Sequence, residues 1–111
     1  MTTLERLTLF ADLMMGHVVC DRPLLSRALS RAKNRCRPVP GTPWAHALAT
    51  HAGIHGSTVA LLTGSARLGL AEAVAHALID DAKCRKRLSI LQDQALHALC
   101  KAAWAILATK R

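Results

Sequence analysis

A chain of 111 residues is the length of one domain with one core, and fifteen Lys and Arg against seven Asp and Glu leave it at +8. Ala and Leu supply 38 residues against nine Ile and Val, and Phe and Trp supply three with no Tyr, which excludes a sheet-built fold. With 51% hydrophobic residues the chain is not disordered either. The composition predicts an all-α fold: a single compact helical domain over residues 1–111, with five to six helices and a long C-terminal helix at its centre.

Thr2 and Glu5 fit a capping box, which predicts a first helix from about Thr3 to Val19. Leu4, Leu7, Ala11, Met14, Met15 and Val18 recur at helical spacing as its inner stripe. Asp21 before Arg22-Pro23 reads as the N-cap of a second helix. Leu25, Leu29, Ala32 and Cys36 would face inward there, with Arg27, Arg31 and Arg35 on one outer face. Arg37-Pro38-Val39-Pro40-Gly41 stops that helix and makes the clearest linker.

Thr42-Pro43 opens a third helix, with Trp44, Ala47, Leu48 and Ala52 as core positions and Gly53 near its end. Ser57 caps a short fourth helix that Gly64 closes, and Ser65 caps a fifth that runs to about Ile79. Gly69 lies inside the fifth helix and weakens it unless another backbone packs closely there. Asp80 and Asp81 suit the start of a sixth helix, predicted to run from Asp81 to Thr109. Its stripe of Cys84, Leu88, Leu91, Ala95, Ala98, Ala102 and Ala105 widens until the last two turns are apolar nearly all round. Such a helix is the centre of a fold or half of a homodimer seam.

Residues 38–66 lack Lys, Arg, Asp and Glu, but prolines, glycines and histidines interrupt them before the ~20 apolar positions of a membrane span are reached. No membrane partner is therefore expected. Cys20, Cys36, Cys84 and Cys100 are widely spaced without a CxxC pair, as in a reduced, cytoplasmic protein. The opening decapeptide lacks the basic start and cleavage site of a secretory leader.

The basic residues are clustered. Arg22, Arg27, Arg31, Lys33, Arg35 and Arg37 occupy one window, and Lys83, Arg85, Lys86 and Arg87 another, with no acid inside either. Patches of this kind attract a nucleic-acid backbone or an acidic protein surface. The plainer alternative is a solvated face that keeps an apolar small protein dispersed.

No catalytic constellation assembles. Carboxylates are few, no nucleophile elbow or phosphate-binding glycine loop is present, and so a non-enzymatic protein without a cofactor is expected. A helix-turn-helix over Ala60, Gly64 and Arg67 fits poorly, because its recognition helix would carry Gly69 and a single base-reading side chain. His17-x-x-Cys20 and His97-x-x-Cys100 are the candidate metal ligands, since each pair shares a helix face and two such pairs would surround one zinc. Cys and His within apolar stripes are more often packed core residues, so no metal is expected. His46, His51 and His55 read as surface histidines.

The reading that results is a small basic binding module docking a nucleic-acid backbone, through Arg27, Arg31, Lys33, Arg35, Arg37, Lys83, Arg85, Lys86 and Arg87. The alternative is an inhibitor or adaptor, of the kind phages and mobile elements encode, acting on an acidic or nucleic-acid-handling protein. A homodimer through the C-terminal helix is a separate expectation, and a purely structural homodimer whose charge only aids solubility is the third reading.

Overall fold

The computed structural model describes residues 1–22 and 27–110. Among these residues there are five helices and no strand: α1 (Thr3–Asp21), α2 (Arg27–Ala32), α3 (Trp44–Thr63), α4 (Ala66–Cys84) and α5 (Ile90–Leu107). The all-α prediction matches. The four long helices close a ring in which α1 packs on α3, α3 on α4, α4 on α5, and α5 back on α1. The result is a bundle measuring 48 × 24 × 22 Å, with α2 laid against α3.

Local chemistry sets most of the boundaries. The capping box at α1 forms in full: Glu5 N–H donates to Thr2 Oγ1 at 3.1 Å, and Thr2 N–H donates to Glu5 Oε2 at 2.6 Å. Gly64 ends α3 in the left-handed conformation at φ 68°, and Ser65 then caps α4 through Leu68 N–H. At the opposite end of the chain, the Arg6 guanidinium donates to the carbonyls of Ala105, Ile106 and Ala108. It thereby satisfies acceptors that the last turn of α5 leaves open.

Several expected boundaries are corrected. The predicted third and fourth helices are one helix, α3, which runs through Gly53 and Gly56. Gly56 is required because α3 and α4 meet there at backbone distance: a Cβ on it would lie 2.6 Å from the Gly69 carbonyl oxygen. The fifth helix does not stop at Ile79 but continues as α4 to Cys84, so Asp80 and Asp81 lie inside it. The long sixth helix is split by a turn at residues 85–89, where Lys86 takes φ 59°. Helix α5 begins only at the Ser89–Gln92 capping box and forms one wall of the ring rather than its centre. Asp21 is the last residue of α1, not the cap of α2, and Cys36 is exposed. Pro23 and Leu25 of that second-helix reading lie outside the described residues.

The largest correction concerns which faces turn inward. The expected stripe of α1 is largely outside, with Leu4 73%, Leu7 61%, Met15 64% and Val18 48% exposed, while Leu9, Leu13, His17 and Cys20 are buried. Helix α5 repeats the inversion: it buries Asp93, His97, Lys101 and Ala105 and exposes Leu91, Leu99, Ile106 and Leu107. Helix α4 buries Gly69, Glu72, His76, Asp80 and Asp81 and exposes Leu70, Val74 and Leu78. An apolar cluster of Leu9, Leu13, Val59, Ala105 and Ala108 fills the end of the bundle where both termini lie, with Met1, Leu62, Leu68 and Trp104 packed on it. The rest of the interior is rich in ionisable side chains, with Cys20, Ala32, Ala47, Leu48 and Ala52 buried beside them. Among the described residues, no helix is long and apolar enough to cross a membrane.

Candidate metal centre

Each of the four long helices places an ionisable pair one turn apart on its buried side: His17 and Asp21, His51 and His55, Glu72 and His76, Asp93 and His97. Residues at i and i+4 share a helix face. Four such faces in a ring therefore converge. Asp21 sits among three imidazoles, with its Oδ1 2.8 Å from His55 Nε2 and 3.3 Å from His51 Nε2, and its Oδ2 3.1 Å from His17 Nε2. His97 Nε2 lies 3.5 Å from Asp93 Oδ1, and His76 Nδ1 lies 3.4 Å from Glu72 Oε1.

The rings form a continuous network. His55 and His76 stack at 3.7 Å, His76 and His97 are 4.4 Å apart, and His17 and His97 are 4.8 Å apart by ring centroids. All five histidines are buried. Yet among the described residues His17 Nδ1 and Nε2, His51 Nδ1, His76 Nδ1 and His97 Nδ1 lack hydrogen-bond partners, as does Asp93 Oδ1. The ion-pair approaches of His17 and His76 are close in distance without hydrogen-bond geometry. Each buried orphan of this kind costs about 1–3 kcal/mol, so several gathered at one point call for a ligand that satisfies them together.

Two overlapping donor groups fit a metal ion: Asp21, His51, His55 and His76, and His17, His76 and His97, with the donor atoms of each group within 4.8 Å of one another. Ligands held tetrahedrally at about 2.0–2.1 Å from an ion lie about 3.4 Å apart. Closing either group therefore takes combined side-chain shifts of up to about an ångström, within the reach of small rotations of the rings and the carboxylate. Imidazole with carboxylate, and no thiolate, suits zinc or non-haem iron.

A second layer holds the donors. Glu72 accepts from Lys101 Nζ and, at 2.6 Å, from Trp104 Nε1, and so carries a fixed charge beside His76. Lys33 Nζ donates to Asp80 at 2.5 and 2.7 Å, and Asp80 in turn lies 3.9 Å from His51. A cavity of about 540 Å³ reaches the centre, with His17, Asp21, His76, Asp93 and His97 on its wall and Arg22, Lys33 and Lys83 nearer the basic end. An ion bound here would keep a position open to water or a small anion.

The sequence-predicted residues fall into three places. His17 and His97 come together in the cluster. Cys20 does not join them, since its Sγ lies 3.2 Å from Thr58 Oγ1, and Cys100, half-buried, belongs to neither donor group. The cysteines are all free thiols. Of the predicted basic face, Lys33 is buried on Asp80, and Arg35 pairs with Asp81 at 2.7 and 2.9 Å while its guanidinium stacks 4.2 Å over Trp44. Arg85 Nε also approaches Asp81, at 3.4 Å. Arg27, Arg31, Arg37, Lys86 and Arg87 are exposed, and Lys83 is half-buried. Both basic windows thus meet at one end of the bundle, partly neutralised by Asp80 and Asp81. His51 and His55 are interior residues, whereas His46 is exposed as expected.

Sequence reasoning missed Asp21, His51, His55, Glu72, His76 and Asp93. The available signal was the four i, i+4 pairs of His with His, Asp or Glu, one in each long helix. No protein-family model matches the chain, nor does any curated protein or solved structure.

Proposed function

We propose that this protein is a metal-binding four-helix bundle, whose core takes one or two divalent first-row ions, zinc or iron(II), on Asp21, His17, His51, His55, His76 and His97. The observation that carries the reading is the convergence of five buried histidines from four helices, four of them with ring nitrogens that lack partners among the described residues. Buried imidazoles crowded at ring-centroid distances of 3.7–5.9 Å gain most from a cation that organises them together. Building such sites from side chains on facing helices is an established use of this architecture. The cavity supports a centre that small molecules reach rather than a sealed structural ion.

The test is metal analysis of the full chain purified without chelator. About one or two equivalents of zinc or iron are expected, falling below about a tenth of that in His55→Ala combined with His76→Ala. Wild-type protein that takes up neither ion on addition would sink the proposal.

A second reading, a phosphate backbone or acidic protein surface at the basic end, is favoured by the meeting of residues 27–37 with residues 83–87. It addresses a different surface and is tested separately by gel shift across a salt series.

A further inference from the structure

We propose that the outer surface of the bundle is covered by a phospholipid bilayer, into which the four long helices insert as one unit with the basic end at the anionic headgroups. The proposal does not rest on the metal; it concerns the opposite face of the same helices. The inversion of amphipathicity carries it. Leu7 and Met15 of α1, Leu61 of α3, Val74 and Leu78 of α4 and Leu99 of α5 are each more than half exposed, on all four sides of the ring. In water this arrangement puts apolar area outside and carboxylates, imidazoles and a lysine inside, the reverse of what the hydrophobic effect selects. In lipid it is the expected order, because ionisable residues in membrane bundles face the interior.

Three further observations agree. Helices of 18 to 20 residues are about 27–30 Å long, close to the hydrocarbon thickness of a bilayer. Charge is distributed by end: ten Lys and Arg lie in windows 22–37 and 83–87 at one end, against Arg6, Arg67 and Lys110 among the described residues elsewhere, besides the buried Lys101. That is the asymmetry of a bundle oriented with its basic end in the cytoplasm. The α3–α4 contact is built on Gly56, Ala60, Gly69 and Ala73 at backbone distance, the small-residue seam by which helices associate where the hydrophobic effect supplies no drive.

Along the helices, Asp12 is half-buried and engaged in an interaction of its own, and Glu5, Arg6 and Arg67 lie in first turns. Among the described residues no single helix is apolar enough to span alone, and His17, His51, His55, Glu72, His76 and Lys101 are among the side chains that lower the means. Those residues are inside.

The test is synthesis of the full chain in a cell-free system with vesicles of phosphatidylethanolamine and phosphatidylglycerol, followed by flotation after alkaline carbonate and high salt. Most of the chain should float after both washes, and Val74→Arg with Leu99→Arg should cut the floated fraction about tenfold or more. In bacterial spheroplasts, the exposed Cys36 at the basic end should react with an impermeant maleimide only after lysis. Release by high salt would reduce the contact to surface electrostatics and overturn the proposal. So would a monodisperse dimer in detergent-free buffer without vesicles, which would assign the apolar surface to a second copy. Metal uptake in detergent remains measurable whichever result is obtained.

Discussion

His55 of α3 and His76 of α4 stack face to face at 3.7 Å with their planes 22° apart, inside a bundle where neither ring meets bulk water. Two imidazolium cations would repel at that distance, so the pair is built to be neutral, and neutral imidazoles offer lone pairs to a metal. Asp21, hydrogen-bonded to His55 at 2.8 Å, supplies the anionic charge that a divalent ion needs. The first prediction follows from this. Ion binding stabilises the folded chain by RT ln(1 + [L]/Kd), about 2.7 kcal/mol at a hundredfold excess over Kd. Chelation should therefore lower the melting temperature by roughly 10 °C. Asp21→Asn should abolish most of that difference. A melting curve unmoved by both chelator and added metal would contradict it.

The Lys101–Glu72 pair gives a prediction about stability alone. Both side chains are 1% exposed, and Trp104 Nε1 completes the carboxylate's coordination at 2.6 Å. Removing one partner leaves a buried charge without its counterion, a loss of about 3–5 kcal/mol. Lys101→Met should therefore destabilise the bundle by that amount. Adding Glu72→Gln should recover the larger part, since the neutral amide no longer needs the ammonium. Denaturant or thermal unfolding of the four members of the cycle measures the coupling. Additive losses would mean that the two charges act independently.

Much of the fold was legible in the sequence because its signals are local. Thr2 and Glu5 announce α1, Gly64 and Ser65 separate α3 from α4, and the excess of Ala and Leu excludes sheet. The inward faces were not legible, because apolar periodicity gives the period of a helix without saying which side is wet. Leu4, Leu7, Met15 and Val18 repeat at helical spacing, yet they lie outside while His17 and Asp21 lie within. The break between α4 and α5 escaped for a related reason: Cys84, Leu88 and Leu91 continue the stripe across a turn that Lys86 makes with a positive φ. The site was half visible. His17 and His97 stood out beside cysteines three residues on, while of their carboxylate partners four residues away Asp21 reads as a helix cap and Asp93 lies without a role inside the predicted sixth helix.

The α3–α4 seam separates two glycines that look alike in the sequence. A Cβ at position 56 would meet the Gly69 carbonyl at 2.6 Å and Ala73 Cβ at 2.9 Å, whereas one at position 53 meets nothing within 4 Å. Gly56→Ala should force the helices apart and cost about 1–3 kcal/mol. Gly53→Ala should instead stabilise α3 by about 0.5–1 kcal/mol, since glycine in a helix interior carries an entropic penalty. Opposite signs in thermal unfolding are the expected outcome. Equal losses at both positions would show that α3 and α4 do not meet as described.

The basic end allows the polyanion reading to be tested without disturbing the core. Arg27 and Arg31 are exposed on α2, so Arg27→Glu with Arg31→Glu should change stability by no more than about half a kcal/mol per site. Lys33 differs in kind. It is buried and donates to both oxygens of Asp80, so Lys33→Glu sets two carboxylates against each other and should prevent folding. Arg35 is intermediate, since it holds Asp81 and covers Trp44, and its reversal would confuse binding with stability. The informative variant is therefore the Arg27 and Arg31 pair. If the basic end meets a phosphate backbone, that variant should weaken binding at low salt, and wild-type affinity should fall steeply as salt rises because each neutralised phosphate releases counterions. A folded double variant that binds duplex DNA and RNA as well as wild type would place any such contact elsewhere. Absence of a gel shift for wild type at low salt would remove the nucleic-acid reading altogether.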